Sequence, residues 1–144
     1  MTKDVLVGIS GLHTMSEDKQ QEHDSIESFC EGAYFFKNGK HYVLFEESYE
    51  GVSGVTKTTI KWTDQDFLEV SKKGVLNAHM IFEKNRKNRF VYETPFGHMN
   101  LGNFTTRFQT DMQEDRIEIC VTYILDLEEE ILSESEIRIQ IRAR

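Results

Sequence analysis

Arg116-Ile117-Glu118-Ile119-Cys120-Val121-Thr122-Tyr123-Ile124-Leu125-Asp126-Leu127 is the stretch that decides the fold. Ile117, Ile119, Val121, Tyr123, Leu125 and Leu127 share one side of an extended chain. Arg116, Glu118, Thr122 and Asp126 share the other, because successive side chains of a strand point to opposite faces. The run therefore predicts a strand with one dry and one wet face. Ile137, Ile139 and Ile141 repeat the pattern against Arg138, Gln140 and Arg142.

Working outward, the same alternation appears in Val5-Val7-Ile9, from Ile26 to Phe36, from His41 to Tyr49, and in Thr56-Thr58-Ile60-Trp62 opposed by Lys57, Thr59 and Lys61. Shorter runs follow at Phe67 to Val70, Ala78-Met80-Phe82 and Phe90-Tyr92-Thr94, and a long one from Met99 to Phe108. Turn signals separate them: Asn38-Gly39, Gly51 to Gly54, Lys73-Gly74, Asn85 to Asn88 and Glu128-Glu129-Glu130. Pro95 stands at a strand end before Gly97, where a bend is tolerated. Sequential strands with short connections mean an antiparallel meander, not a βαβ arrangement.

About eight to ten such strands leave long exposed edges in an open sheet, and closure removes them. No segment carries a sustained helical stripe, so at most one short helix is expected. The predicted fold is all-β, a closed or flattened antiparallel barrel formed as one domain over residues 1–144, with a two-sheet sandwich as the rival. The polar segment His13 to Asp24 reads as an exposed loop.

Composition narrows the function classes. With 38% hydrophobic and 11% aromatic residues in 144, the chain has the material for a core. The formal charge of −8 opposes binding to phosphate polyanions, so no nucleic-acid partner is expected. The basic run Lys84 to Arg89 and the acidic run Glu128 to Glu130 read as solvated turns. No stretch has the apolar length of a membrane helix or a signal-peptide core, so a cytoplasmic protein without a membrane partner is expected. Cys30 and Cys120 form no metal or redox motif and read as buried or half-buried thiols.

Several patterns together resemble the YwiB-like family, a group of small bacterial proteins of unknown function assigned a calycin-like, or lipocalin-like, β-barrel. They are Gly32, Phe45-Glu46-Glu47, Lys57-Thr58-Thr59-Ile60-Lys61, the corner Tyr92-Glu93-Thr94-Pro95-Phe96-Gly97, and Ile131-Leu132-Ser133-Glu134. The resemblance covers nearly the whole chain and implies a calycin-like barrel in a bacterial cytoplasm, without an activity. Lipocalins proper carry Gly-x-Trp near the start, whereas this chain has Gly11-Leu12-His13 and its only tryptophan is Trp62. The secreted carrier role of lipocalins is therefore not transferred.

Motifs for chemistry are sparse. There is no Gly-x-Ser-x-Gly elbow and no recognisable Cys/His signature, so a nucleophilic enzyme is disfavoured. His13, His23, His41, His79 and His98 are scattered without metal-ligand spacing, and no cofactor is expected. Gly51-Val52-Ser53-Gly54 lacks the helix and lysine of a phosphate cradle. Lys57, Thr59 and Lys61 read as a wet outer face, and His79 as outward between inward Ala78 and Met80.

The informative residues are polar groups in phase with apolar ones. Thr58 shares a face with Ile60 and Trp62, Tyr92 and Thr94 with Phe90 and Phe96, and Tyr123 with Val121 and Leu125. A barrel of about eight strands is either filled by side chains or holds one small ligand. Thr58, Trp62, Tyr92, Thr94 and Tyr123 are therefore the expected lining for a small, partly apolar ligand. The alternative is a packed interior whose hydroxyls satisfy one another, in a protein-interaction module. Oligomeric state is left open.

Overall fold

The computed structural model describes residues 3–10, 29–48, 53–63 and 66–144. The predicted loop from His13 to Asp24 and the start of the second strand lie outside them. Ten strands follow in chain order: β1 (Lys3–Ser10), β2 (Cys30–Lys37), β3 (Lys40–Glu47), β4 (Thr56–Trp62), β5 (Phe67–Gly74), β6 (Ala78–Glu83), β7 (Lys87–Thr94), β8 (Gly97–Met112), β9 (Arg116–Leu127) and β10 (Glu130–Ala143). No helix occurs among the described residues.

The strands form one antiparallel sheet in the order β6-β5-β4-β3-β2-β1-β10-β9-β8-β7. β1 pairs with β10, so the two ends of the chain lie at the middle of the sheet and β6 and β7 are its edges. The sheet curls until those edges meet. Asn77 and Glu93 exchange backbone hydrogen bonds of 2.9 and 2.8 Å. Farther along, Asn85 N donates to Thr105 O at 2.7 Å, and Thr105 N to Arg86 O at 3.3 Å, so β8 also touches the chain leaving β6. The Asn103 side-chain amide donates to Ile81 O at 3.2 Å. Between these ties β6 and β7 share no ladder, and the product is a nearly closed barrel with a seam.

The alternating residues occupy the faces expected of them. Val43, Ile60, Val70, Ile119, Val121, Ile137 and Ile139 are wholly buried, and Tyr123 joins them. Thr122 on the opposite face remains half-buried. Two turns rest on left-handed residues, Asn38-Gly39 (φ 53° and 78°) and Glu128-Glu129 (φ 50° and 73°). Paired positive φ values match the right-handed twist of the flanking strands. The acidic turn lacks glycine and is held by Glu129 N donating to Asp126 Oδ1 at 3.1 Å.

One residue expected on the inner face with Tyr92 and Thr94 is misplaced by the alternation rule. Phe96 is 90% exposed, because the chain reverses at Pro95-Phe96 and strand phase ends at Thr94. The basic run is also less free than its composition suggests. Lys87 and Arg89 reach the buried Asp126 carboxylate at 3.4 and 3.5 Å. Asp126 lies above Gly102, where a Cβ would stand 2.6 Å from its Oδ2.

Candidate functional site

On β3, His41, Val43, Phe45 and Glu47 are in phase; on β5, Leu68, Val70 and Lys72 are. Phase carries Glu47 and Lys72 to the inner face, although both are charged. Register then brings them together: Glu47 pairs with Thr56 across β3 and β4, and Thr58 with Lys72 across β4 and β5. Lys72 Nζ lies 2.6 Å from Glu47 Oε1, which also accepts the Thr58 hydroxyl at 2.7 Å. The lysine side chain is 4% exposed and the glutamate 23%. Such a pair persists because separating either charge inside a low-dielectric interior costs several kcal/mol.

The field of Glu47 reaches two further groups. Burial first, and then the Glu47 charge, push the Tyr92 phenol above its ordinary pKa. The Cys30 thiol is raised for the same reasons in the same order. One end of the barrel thus collects Cys30, Glu47, Thr58, Lys72 and Tyr92.

The opposite end of β3 to β6 is aromatic. The Tyr34 hydroxyl and His41 Nδ1 share a 2.7 Å hydrogen bond, and the His41 ring stacks on Trp62 with centroids 5.1 Å apart. Phe82 meets Tyr123 edge-on at 5.1 Å. Burial pushes the Tyr123 phenol up to about 12, against an opposing hydrogen bond with Ser135. Trp62 Nε1, Asn103 Oδ1 and Thr105 Oγ1 are buried without a hydrogen-bond partner among the described residues.

The five expected lining residues therefore do not form one site. Thr58 and Tyr92 lie at the Glu47–Lys72 end, whereas Trp62 and Tyr123 belong to the aromatic end. Thr94 serves the β7–β8 turn: its hydroxyl accepts Phe96 N–H at 3.1 Å and donates to Gly97 O at 3.0 Å. Sequence reasoning passed over Glu47 and Lys72. The signal was present, since each continues the inward phase of apolar neighbours, and a charged residue in that position needs an internal partner.

A groove of about 550 Å³ opens at the β6–β7 seam beside Lys72. Its walls combine inward-facing Lys72 and Ala78 with outward-facing His79 and Val91, together with Asn77 and Glu93. Residues of both faces line the groove, which lies beside the Asn77–Glu93 tie. Among the described residues no group of three or more His, Cys, Asp or Glu side chains is placed to hold a metal ion, and no helix is long and apolar enough to cross a membrane.

The profile of the family described as "Domain of unknown function (DUF1934)" matches residues 9–139. The chain is 27% identical over 122 residues to the "Uncharacterized beta-barrel protein YwiB" of Bacillus subtilis (strain 168), covering 83% of this chain and 82% of that protein. It is also similar to the crystal structure of the ywiB protein from Bacillus subtilis, with a TM-score of 0.69 and 20% identity over 99% of this chain and 90% of that one.

Proposed function

We propose that this chain, which belongs to the DUF1934 family of domains of unknown function, is a non-enzymatic binding module of the bacterial cytoplasm, and that its calycin-like barrel holds a small, partly apolar ligand. The observation that carries this reading is the seam groove, lined by Lys72, Ala78 and Val91 among others. Binding sites for small molecules are concave and mostly apolar, with a few polar groups that fix orientation. Lys72, Asn77 and His79 supply such groups along the groove.

Native mass spectrometry of the purified full chain tests the reading. A small-molecule adduct present under native conditions and lost on denaturation is the expected result. An unliganded mass, together with no change in the amide resonances of Lys72, Ala78 and Val91 across a metabolite library, would overturn it.

A second reading, a protein-interaction module with a packed interior, is favoured by one observation: Phe96 and Ile131 are large apolar side chains that are 90% and 71% exposed. Apolar exposure of this kind is a feature of contact surfaces when it is contiguous. Co-purification of a stoichiometric protein partner that is lost on Phe96→Ser would place this reading first.

A further inference from the structure

Two rows of outward-facing side chains build most of the seam groove. Lys72 pairs with Ala78, so one step further along the same register Lys73 stands beside Asn77, and Asn77 is tied to Glu93 across the seam. The second row is Ser71, its direct partner His79, and Val91. In both rows the β6 side chain is held towards β5. Asn77 folds back on Gly74, donating to its carbonyl at 2.9 Å and accepting from its N–H at 3.3 Å. His79 Nε2 pairs with Glu69 of β5, which Lys61 also approaches at 3.4 Å. The groove thus has two banks, Lys73 with Ser71 on β5 and Glu93 with Val91 on β7.

Lys73 and Glu93 therefore stand as opposite charges on opposite banks, two strand spacings or about 10 Å apart at their Cα atoms. Neither has an ion-pair partner among the described residues. Lys57 lies directly opposite Lys73 on β4, with Glu46 on its far side. Like charges so placed repel, and an anion beside them relieves the repulsion. From this arrangement we propose that the groove takes a small zwitterion, a free α-amino acid with an apolar side chain. Its carboxylate meets Lys73 Nζ and the Ser71 hydroxyl, its ammonium meets Glu93, and its side chain lies against Val91. The inference rests on the binding-module reading and adds the chemical class. A simple anion would still face Glu93, and a simple cation would face Lys73 and Lys57; a ligand with both charges satisfies both banks. In an α-amino acid the two charges leave from one carbon, so the apolar substituent is free to follow the groove. No bond is made or broken.

NMR titration of the isotope-labelled full chain with leucine, isocaproate, isoamylamine and glycine separates the two charges from the body. Leucine is expected to move the amide resonances of Ser71, His79, Val91 and Glu93. It should bind about fivefold tighter than isocaproate, which lacks the amine, or isoamylamine, which lacks the carboxylate, because each lost contact is an exposed ion pair. Glycine keeps both charges without the apolar body and should bind more weakly than leucine. Lys73→Met should bring leucine to the level of isoamylamine, Glu93→Gln to the level of isocaproate, and Lys73→Arg should keep the preference. Both side chains are exposed, so the variants should melt with the native chain. A merely structural role would move the melting temperature and leave the order of the ligands unchanged.

Leucine that binds no tighter than either one-charge analogue, or that keeps its affinity in either Lys73→Met or Glu93→Gln, overturns the zwitterion assignment and leaves the binding module standing. So does a chain that ignores leucine while another metabolite shifts the resonances of Ala78 and Val91. Silence of those resonances towards all four compounds and a metabolite library overturns the binding-module reading, and the zwitterion with it.

Discussion

Glu47 Oε1 receives both the Lys72 ammonium, at 2.6 Å, and the Thr58 hydroxyl, at 2.7 Å. Three adjacent strands are needed to make this contact. The two members of the pair differ in access to water.

That difference predicts unequal costs of neutralisation. Glu47→Gln removes a carboxylate from contact with a buried ammonium and should lower stability by about 3 kcal/mol. Lys72→Met leaves a carboxylate that can still meet water and should cost less, about 1 to 2 kcal/mol. The double variant should cost less than the sum, as expected for residues in contact. Urea denaturation of the four proteins measures all three quantities; additive losses would show that the pair is not coupled.

The register of β9 predicts a second contrast. Tyr123 is buried between Val121 and Leu125, so Tyr123→Asp places a charge in the core and should cost about 3 to 5 kcal/mol. Thr122→Asp puts the same charge on the outer face and should change stability by less than about 1 kcal/mol. Thermal melts of both variants check the register, and equal losses would contradict it.

The Tyr123 phenol also predicts a pH dependence. Burial raises its pKa from 10.0 to about 12 in the folded chain. Between those values the unfolded chain gives up the proton while the folded chain keeps it, so the unfolded state binds fewer protons and stability falls as pH rises. The contribution is fully present below pH 10.0 and is lost as pH climbs towards about 12. Tyr123→Phe should flatten the decline in melting temperature over that window. It should also remove a component of tyrosinate absorbance that titrates at about 12.

The seam predicts a pattern of amide exchange. Asn77 and Glu93 direct their N–H groups across the seam, and with a period of two the amides of His79, Ile81, Arg89 and Val91 point the same way. No ladder from the opposite strand receives them. Those of Met80, Phe82, Phe90 and Tyr92 face β5 or β8 and are paired. Hydrogen exchange followed by NMR should find the first group faster than the second on the same strands. Uniform protection along β6 and β7 would mean that the seam is closed in solution.

Much of the fold was legible because alternation is local. A strand exposes its burial pattern residue by residue, so Ile117, Ile119, Val121, Tyr123 and Leu125 could be assigned to the core from their spacing alone. The Asn38-Gly39 turn was equally legible, since positive φ has a small set of favoured residues. Phe96 marks where that logic stops: past Thr94 the chain turns at Pro95, and phase counted through a turn has no meaning.

The candidate site was less legible, because face assignment says which residues point inward and not which of them meet. Thr58, Trp62, Tyr92 and Tyr123 do belong to the buried or half-buried set. Yet Thr58 and Trp62 lie toward opposite ends of β4, and Tyr92 joins the first while Tyr123 joins the second. By itself the sequence determined an antiparallel all-β chain, the wet and dry faces of its strands and the polar residues that must sit among apolar ones, all of which follow from a period of two along the backbone. Only the tertiary structure decided that β6 closes against β7 with a seam, and that Glu47, Thr58 and Lys72 converge across β3, β4 and β5. Those outcomes depend on the register between strands far apart in sequence and on the curl of the whole sheet, and no local pattern carries either.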